Sequence, residues 1–275
     1  MKKKKIAIIG VGLMGGAFAK SVKEFSTWGY ARSDKSYAKL KKLKILDAVS
    51  QSLEETVSGA DFVALSLPVI AIGQYFKKIA PFLKKDAIVF DMGSSKKFIT
   101  AKAKKHLPKY VSFVGCHPLA GSEKSGAQFS PDTLYEGATC IITSNRKAKA
   151  TKTVAALWRK VGCKVVYISA ELHDKVLSSV SHMPHLISFA LTQFVDKKYA
   201  KFAPASLRDL TRISNSPDFV WADIFISNKI NLLQGIRSYS KVLKKFETAL
   251  RKGDKDCLIK LIKEANTKQK LFLQG

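Results

Sequence analysis

The sequence lacks the features that mark membrane, repeat and disulfide-rich proteins. No uninterrupted apolar run approaches the ~20 residues of a membrane-spanning helix, and there is no internal repeat or low-complexity tract. The four cysteines show neither CxxC pairing nor metal-ligand spacing, which is typical of free thiols in a reducing cytoplasm. We therefore expect a cytoplasmic globular protein.

Acidic residues are scarce, with 21 Asp and Glu against 48 Lys and Arg, so the net charge is +27. Such a charge suits a nucleic-acid partner. However, the lysines are scattered through every segment, and no zinc finger, RNP-like strand or basic-zipper heptad accompanies them. We therefore predict a basic surface that attracts anionic substrates and nucleotides, with no specific nucleic-acid partner and no membrane partner. A DNA-binding nucleotide sensor is the non-enzymatic alternative.

The first part of the chain alternates short apolar runs with helical stretches. The runs predict strands at residues 5–9, 27–30, 62–67, 87–90, 111–115, 139–143 and 164–168. Helices are predicted at residues 69–83, 97–107 and 147–161. This alternation predicts an α/β fold with a doubly wound, mostly parallel sheet of the Rossmann type.

Beyond residue 168 the pattern changes to apolar residues at three- and four-residue spacing. Helices are predicted at residues 172–194, 218–250 and 254–270. The 275 residues suffice for two domains. We predict a dinucleotide-binding domain at 1–169 and an all-helical substrate and dimerisation domain at 170–275.

A glycine-rich turn joins the first strand to the first helix. Each of its three glycines has a role, in the tight turn, in the approach of a pyrophosphate or in helix–strand packing. The helix N-terminus then supplies N–H groups to the phosphates. The lysines and apolar residues before this turn also imitate a signal peptide, but the glycine pattern favours a dinucleotide site. Its predicted contacts are Gly10, Gly12, Leu13, Met14 and Gly15.

The residues after the second strand bear on the choice of nucleotide. NAD-binding folds usually place an acid there, whereas this chain has Ala31 followed by Arg32 and Ser33. Arg32 and Ser33 suit a 2′-phosphate and favour NADP, although Arg32 stacked on adenine, or Asp34 on the ribose, would leave NAD open. Ser66 and Pro68, after the strand at 62–67, complete the predicted cofactor site.

Two polar loops follow neighbouring predicted strands, at residues 91–96 and 117–126. Since parallel strands end at the same edge, we expect Ser94 and His117 to face the cofactor crevice. Ser94 also suits a helix cap before residue 97.

The helical half carries a second polar group at residues 181–185. Pro184 removes a backbone hydrogen bond and predicts a kink. His182 and His185 share a face, but no third ligand lies at metal-site spacing, so we predict no metal. Farther on, Arg212 suits a carboxylate, although an arginine taken alone is more often a surface residue.

These motifs together resemble the prephenate/arogenate dehydrogenase family of tyrosine biosynthesis. The matching segments, which span nearly the whole chain in order, are residues 10–15, 91–96, 117–126, 181–185 and 209–213. The resemblance implies a Rossmann domain, a helical domain that mediates homodimerisation, and a site between them. It implies oxidative decarboxylation of prephenate or arogenate, with prephenate favoured.

The resemblance also implies residue roles. His117 would accept the proton of the substrate 4-hydroxyl, and Ser94 would orient that hydroxyl. The substrate-binding residues would be His182, Arg212, Glu123, Ser122 and Ser216. Another two-domain Rossmann dehydrogenase is the rival enzyme class, but its members lack the motif at 181–185.

Two departures from the family leave specificity open. The acid after the second strand is missing, and residues 204–206 read Pro-Ala-Ser where relatives often have glycines. No chorismate mutase or ligand-sensing extension is recognised, so regulation through an added domain is not expected.

Overall fold

The computed structural model describes residues 3–121 and 126–272. The chain divides into two compact units, Met1–Lys229 and Ile230–Gly275. No helix among the described residues is long and apolar enough to cross a membrane.

The first unit is built on a six-stranded parallel sheet with the order β3-β2-β1-β4-β5-β6. β1 and β4 occupy the centre and are buried on both faces, as their uninterrupted apolar sequences predict. The strands are β1 Lys5–Ile9, β2 Ser26–Tyr30, β3 Ala48–Ser50, β4 Phe62–Leu65, β5 Ile88–Asp91 and β6 Ser112–Val114. The predicted doubly wound parallel sheet is confirmed.

Helices follow the strands of this sheet and enclose two apolar cores. Phe18, Phe90 and Trp158 pack together in one core, and Ile72 and Phe76 lie in the other. The helices are α1 Leu13–Ser21, α2 Asp34–Leu43, α3 Leu53–Val57, α4 Val69–Ile79 and α5 Lys97–His106.

A second, three-stranded sheet follows the first. Its strands are β7 Cys116–Pro118, β8 Thr139–Ile142 and β9 Lys164–Tyr167, with α6 Lys149–Lys160 between the last two. β8 pairs antiparallel with β7 and parallel with β9. The chain changes sheet at Gly115, where an added Cβ would lie 2.6 Å from Thr143 Oγ1. His117 therefore lies in a short strand, and the prediction that it follows a strand as part of a loop is wrong.

The remaining residues are mostly helical. The predicted helix at 172–194 contains a π-helical turn at Ser178–His182, and the predicted helix at 218–250 ends and restarts at Asn228. The remaining helices of the first unit are α7 Ala170–Leu177, α8 Met183–Phe194, α9 Ala205–Thr211 and α10 Asp218–Ser227. α11 Lys229–Lys252 and α12 Lys255–Phe272 account for the second unit.

Candidate active site

The glycine-rich turn between β1 and α1 is shaped by close backbone packing. Gly10 has a φ of +93°, and a Cβ there would lie 2.2 Å from the carbonyl oxygen of Ser66. A Cβ on Gly15 would lie 2.3 Å from the carbonyl oxygen of Gly10. A Cβ on Gly12, by contrast, would meet no described atom within 4 Å. The turn is therefore tight where it packs and open at the N-terminus of α1, which fits a dinucleotide pyrophosphate.

The neighbouring candidates for the nucleotide have different surroundings. Ser66 donates its N–H to Ile9 O at 2.8 Å, and Pro68 precedes α4, so both lie at the carboxyl end of β4 beside the glycine turn. The Ser33 hydroxyl caps α2 by accepting the Ser36 N–H at 3.3 Å. Arg32 is exposed. Of the two 2′-phosphate candidates, Ser33 thus caps a helix, whereas the Arg32 side chain makes no hydrogen bond or ion pair with the described residues.

A buried ion pair lies at the carboxyl end of β5. Asp91 and Lys96 are both fully buried and bonded to each other. Lys96 Nζ also donates to Cys116 O at 2.6 Å, and Asp91 accepts the Cys116 N–H at 3.2 Å. Burial raises the pKa of Asp91, and the Lys96 ammonium opposes that shift. The pair holds both backbone groups of the residue that precedes His117.

His117 is itself buried, with 8% of its surface exposed. Its Nδ1 lies 2.9 Å from His173 Nε2, and His173 Nδ1 lies 2.8 Å from Asp174 Oδ1. Burial holds the pKa of His117 well below its usual value, and the nearby His173 and Lys96 lower it further. His117 is therefore a neutral imidazole at physiological pH, as a proton acceptor must be.

His182 lies in the π-helical turn and is 1% exposed. Its Nδ1 lies 3.1 Å from Asn228 Nδ2, whereas its buried Nε2 has no hydrogen-bond partner among the described residues. The backbone of Ser94 lies close enough to the ring to favour its protonated form, but it forms no hydrogen bond with Nε2. Burial lowers the pKa of His182 to about 4. A neutral imidazole thus presents an unpaired nitrogen to the site.

The second histidine of this motif has a different environment. His185 stacks on Trp221, with ring centroids 3.5 Å apart, and its Nδ1 donates to Ser181 O at 3.0 Å. The π-helical turn precedes Pro184, which lies in the first turn of α8. The missing N–H of the proline is thus accommodated by a local change of helix type, and π-turns of this kind are frequent at functional sites.

The structure corrects the capping interpretation of Ser94. Its side chain does not cap α5. Instead, the Asp174 carboxylate accepts the N–H groups of Lys96 and Lys97 at 2.7 and 3.0 Å. Half-buried Ser94 is left between this cap and His182.

The other candidate substrate-binding residues do not belong to the hydrogen-bond network of the histidines as far as the structure describes them. Arg212 is exposed, in a 3-10 turn packed on α8, and its side chain makes no hydrogen bond or ion pair with the described residues. The Ser216 hydroxyl donates to Ile213 O at 2.8 Å. Ser122 and Glu123 lie outside the described residues. The structure thus groups Ser94, His117 and His182, and no hydrogen bond or ion pair among the described residues joins Arg212 to them.

His173, Asp174 and Asn228 were not predicted from the sequence, and the motif at 91–96 gave no role to Asp91 or Lys96. The available signal was a His-Asp pair inside an otherwise apolar helical pattern. Both of these side chains are almost fully buried, and buried titratable groups are typical of functional sites.

Comparison with known proteins agrees with this geometry. The sequence is 34% identical to the cyclohexadienyl dehydrogenase of Zymomonas mobilis, over 95% of this chain and 94% of that protein. It is 30% identical to the prephenate dehydrogenase of Bacillus subtilis, over 96% of this chain and 74% of that protein. The crystal structure of prephenate dehydrogenase from A. aeolicus in complex with hydroxyphenyl propionate and NAD+ matches with a TM-score of 0.88 and 36% identity, over 99% of both chains.

Two family descriptions cover most of the sequence. Residues 14–167 match "Prephenate dehydrogenase, nucleotide-binding domain". Residues 169–264 match "Prephenate dehydrogenase, dimerization domain". Together with the buried histidine site, these matches identify the chain as a member of the prephenate dehydrogenase family of NAD(P)-dependent oxidoreductases.

Proposed function

We propose that this chain catalyses the NAD(P)-dependent oxidative decarboxylation of prephenate to 4-hydroxyphenylpyruvate in tyrosine biosynthesis. The observation that carries the proposal is a buried, neutral His117 whose Nδ1 is bound and whose Nε2 has no partner among the described residues. That nitrogen suits a substrate hydroxyl. The family match supplies the reaction class.

The roles of the residues follow from this geometry. A nicotinamide cofactor held at the glycine turn of Gly10, Gly12 and Gly15 would supply the acceptor for the hydride that leaves C4 of the substrate. His117 takes the proton of the 4-hydroxyl as the C4–O bond gains carbonyl character. The ring carboxylate leaves as carbon dioxide, its electron pair makes the ring aromatic, and His117 returns the proton to the phenol oxygen. Ser94 orients the hydroxyl.

The anionic groups of the substrate need donors. We assign them to Arg212 and His182, with Ser122 and Ser216 as further contacts. The Glu123 carboxylate would instead position His117 or pair with the ammonium of arogenate. A guanidinium suits bidentate carboxylate binding, and His182 offers a buried nitrogen beside the Ser94 loop. Arg212, which is exposed, would bind the substrate carboxylate from the protein surface.

Arogenate is the second candidate substrate. It carries an ammonium where prephenate has a keto group, and it contains the same cyclohexadienyl ring named in the Zymomonas mobilis relative. Prephenate is favoured because it is the substrate named for the Bacillus subtilis and A. aeolicus relatives.

We further propose that residues 1–169 bind the nucleotide and that residues 170–275 complete the substrate site and form a homodimer. The family matches at 14–167 and 169–264 support this division. Exposed apolar side chains on α11, at Ile230, Leu233 and Leu243, support a dimer surface. We place the enzyme in the cytoplasm, which its four free cysteines support.

Initial rates with NAD and NADP, each combined with prephenate and arogenate, test the function. We expect prephenate turnover with both nucleotides, with NADP preferred. The absence of turnover in all four combinations would overturn the proposal, and turnover of arogenate alone would favour the second candidate.

Nucleotide choice is tested by Arg32→Ala. Loss of a charge-assisted hydrogen bond to the 2′-phosphate should lower kcat/KM for NADP roughly 10- to 100-fold, while the value for NAD stays within about 3-fold. Lys35→Ala, which removes an exposed cation three residues along, is the matched control and should affect both nucleotides alike. Equal losses for NADP and NAD in Arg32→Ala would remove Arg32 from the site.

A further inference from the structure

We propose that Asp174 is a positioning residue that fixes the two site imidazoles in opposite tautomers. Its carboxylate acts through His173 and leaves His117 Nε2 as a hydrogen-bond acceptor. Its backbone carbonyl acts through Asn228 and leaves His182 Nε2 as a donor. The inference rests on the proposed function only for what these two nitrogens bind.

The carboxylate side is fixed by a chain of hydrogen bonds. Asp174 accepts the N–H groups of Lys96 and Lys97, and these bonds favour its ionised form. An ionised carboxylate only accepts, so His173 Nδ1, 2.8 Å away, must carry the proton. His173 is fully buried, and burial lowers its pKa, so the ring is neutral and its Nε2 has only a lone pair.

His117 is the next member of this chain. Its Nδ1 lies 2.9 Å from His173 Nε2 and must therefore donate, because that nitrogen can only accept. Because His117 is also neutral, its remaining nitrogen, Nε2, carries no proton and accepts.

The carbonyl side fixes the second imidazole. Asn228 Nδ2 donates to the Asp174 carbonyl at 2.7 Å, which identifies this atom as the amide nitrogen because a carbonyl oxygen cannot donate. The same nitrogen lies 3.1 Å from His182 Nδ1, so that ring nitrogen accepts. Neutral His182 therefore carries its proton on Nε2, the buried atom that has no partner among the described residues.

The two outcomes match different tasks. A proton acceptor must present a lone pair to the 4-hydroxyl, and His117 does so. A group that binds a substrate oxygen must present an N–H, and His182 does so. A buried donor without a partner is unfavourable in the free protein, so a ligand oxygen that reaches His182 Nε2 would relieve that cost. One aspartate thus prepares two residues of the same type for opposite roles.

Long-range ¹H–¹⁵N spectra of the full chain, labelled in histidine and free of ligand, test the tautomers directly. His117→Asn and His182→Asn assign the two rings. We expect Nδ1 protonation for His117 and Nε2 protonation for His182. Nε2 protonation of His117, or Nδ1 protonation of His182, would overturn the proposal.

Paired variants then separate positioning from simple support of the fold. His173→Leu removes the acceptor for His117 Nδ1, so the His117 signal should shift towards the other tautomer. We expect kcat to fall roughly 10- to 100-fold, with a smaller change in KM, as part of the 10²–10⁴ supplied by a general base. His173→Gln retains an amide oxygen that can accept from Nδ1, and it should restore the His117 tautomer and part of kcat.

Asn228→Ala should change the His182 tautomer and leave that of His117 intact. His106→Gln, in the last turn of α5, is the control and should change neither. An unaltered His117 tautomer in folded His173→Leu would contradict the relay. Correct tautomers in a wild-type protein that turns over neither prephenate nor arogenate would instead refute the proposed function alone.

Discussion

His117→Asn is expected to lose about 10²–10⁴ in kcat/KM for prephenate, the range for a lost general base. The asparagine amide nitrogen takes the approximate place of Nδ1 and can still donate to His173, so the packing of β7 is retained. What disappears is the acceptor nitrogen that faces the substrate. Because His117 lies in the second sheet and the glycine turn lies in the first, nucleotide affinity should stay unchanged. Initial rates and a nucleotide titration by fluorescence measure the two quantities.

The control for this variant is His106→Asn, a histidine-to-asparagine change at the end of α5. It should leave both rate and nucleotide affinity at the parental values. Turnover by His117→Asn within a few-fold of the parent would remove the imidazole from the reaction. An equal loss of nucleotide affinity would instead indicate a general disruption of the sheet.

Lys96→Met is expected to destabilise the protein by about 3–5 kcal/mol, because removal of one partner leaves a buried, uncompensated charge. Asp91 and Lys96 are both fully buried, and Lys96 also holds the Cys116 carbonyl. Without the ammonium, Asp91 must either remain charged in an apolar core or take up a proton. Urea unfolding followed by circular dichroism gives the loss.

Two comparisons make this prediction specific. Lys160→Met breaks an ion pair with Glu24 whose side chains are 62% and 39% exposed, and it should cost only about 0–1 kcal/mol. The double variant Asp91→Asn, Lys96→Met removes both charges of the pair and should recover part of the stability. Similar losses for Lys96→Met and Lys160→Met would show that the buried pair contributes no more than a surface pair.

Much of the fold was predictable because its central strands are uninterrupted apolar runs. The predicted strand at 5–9 matches β1 in full, and the strand at 62–67 differs from β4 only at its end. β3, with three residues, and α2, which is rich in lysine, carry too little apolar pattern to be recognised. The change of sheet at Gly115 was hidden because it depends on close packing against Thr143, which is distant in sequence.

Site residues were predictable where they belong to a sequence motif. They were not predictable where only tertiary contacts bring them into the site. Ser94, His117 and His182 stand in recognisable motifs, and the structure groups them. His173 acts on a histidine 56 residues away, a pairing that no local pattern contains. Ser94 has the residue type of a helix cap, but Asp174, from a helix 77 residues away, caps Lys97 instead. Local capping rules fail when a carboxylate that is distant in sequence accepts the hydrogen bonds of the same N–H groups.

The most direct test is a crystal structure of this chain with NAD+ and a 4-hydroxyphenyl carboxylate bound. The account predicts the para-oxygen at about 2.6–3.2 Å from His117 Nε2, with the carboxylate held by Arg212 and His182. A ligand that binds away from His117, or an Arg212 that opens onto a different cavity from the imidazole, would contradict it.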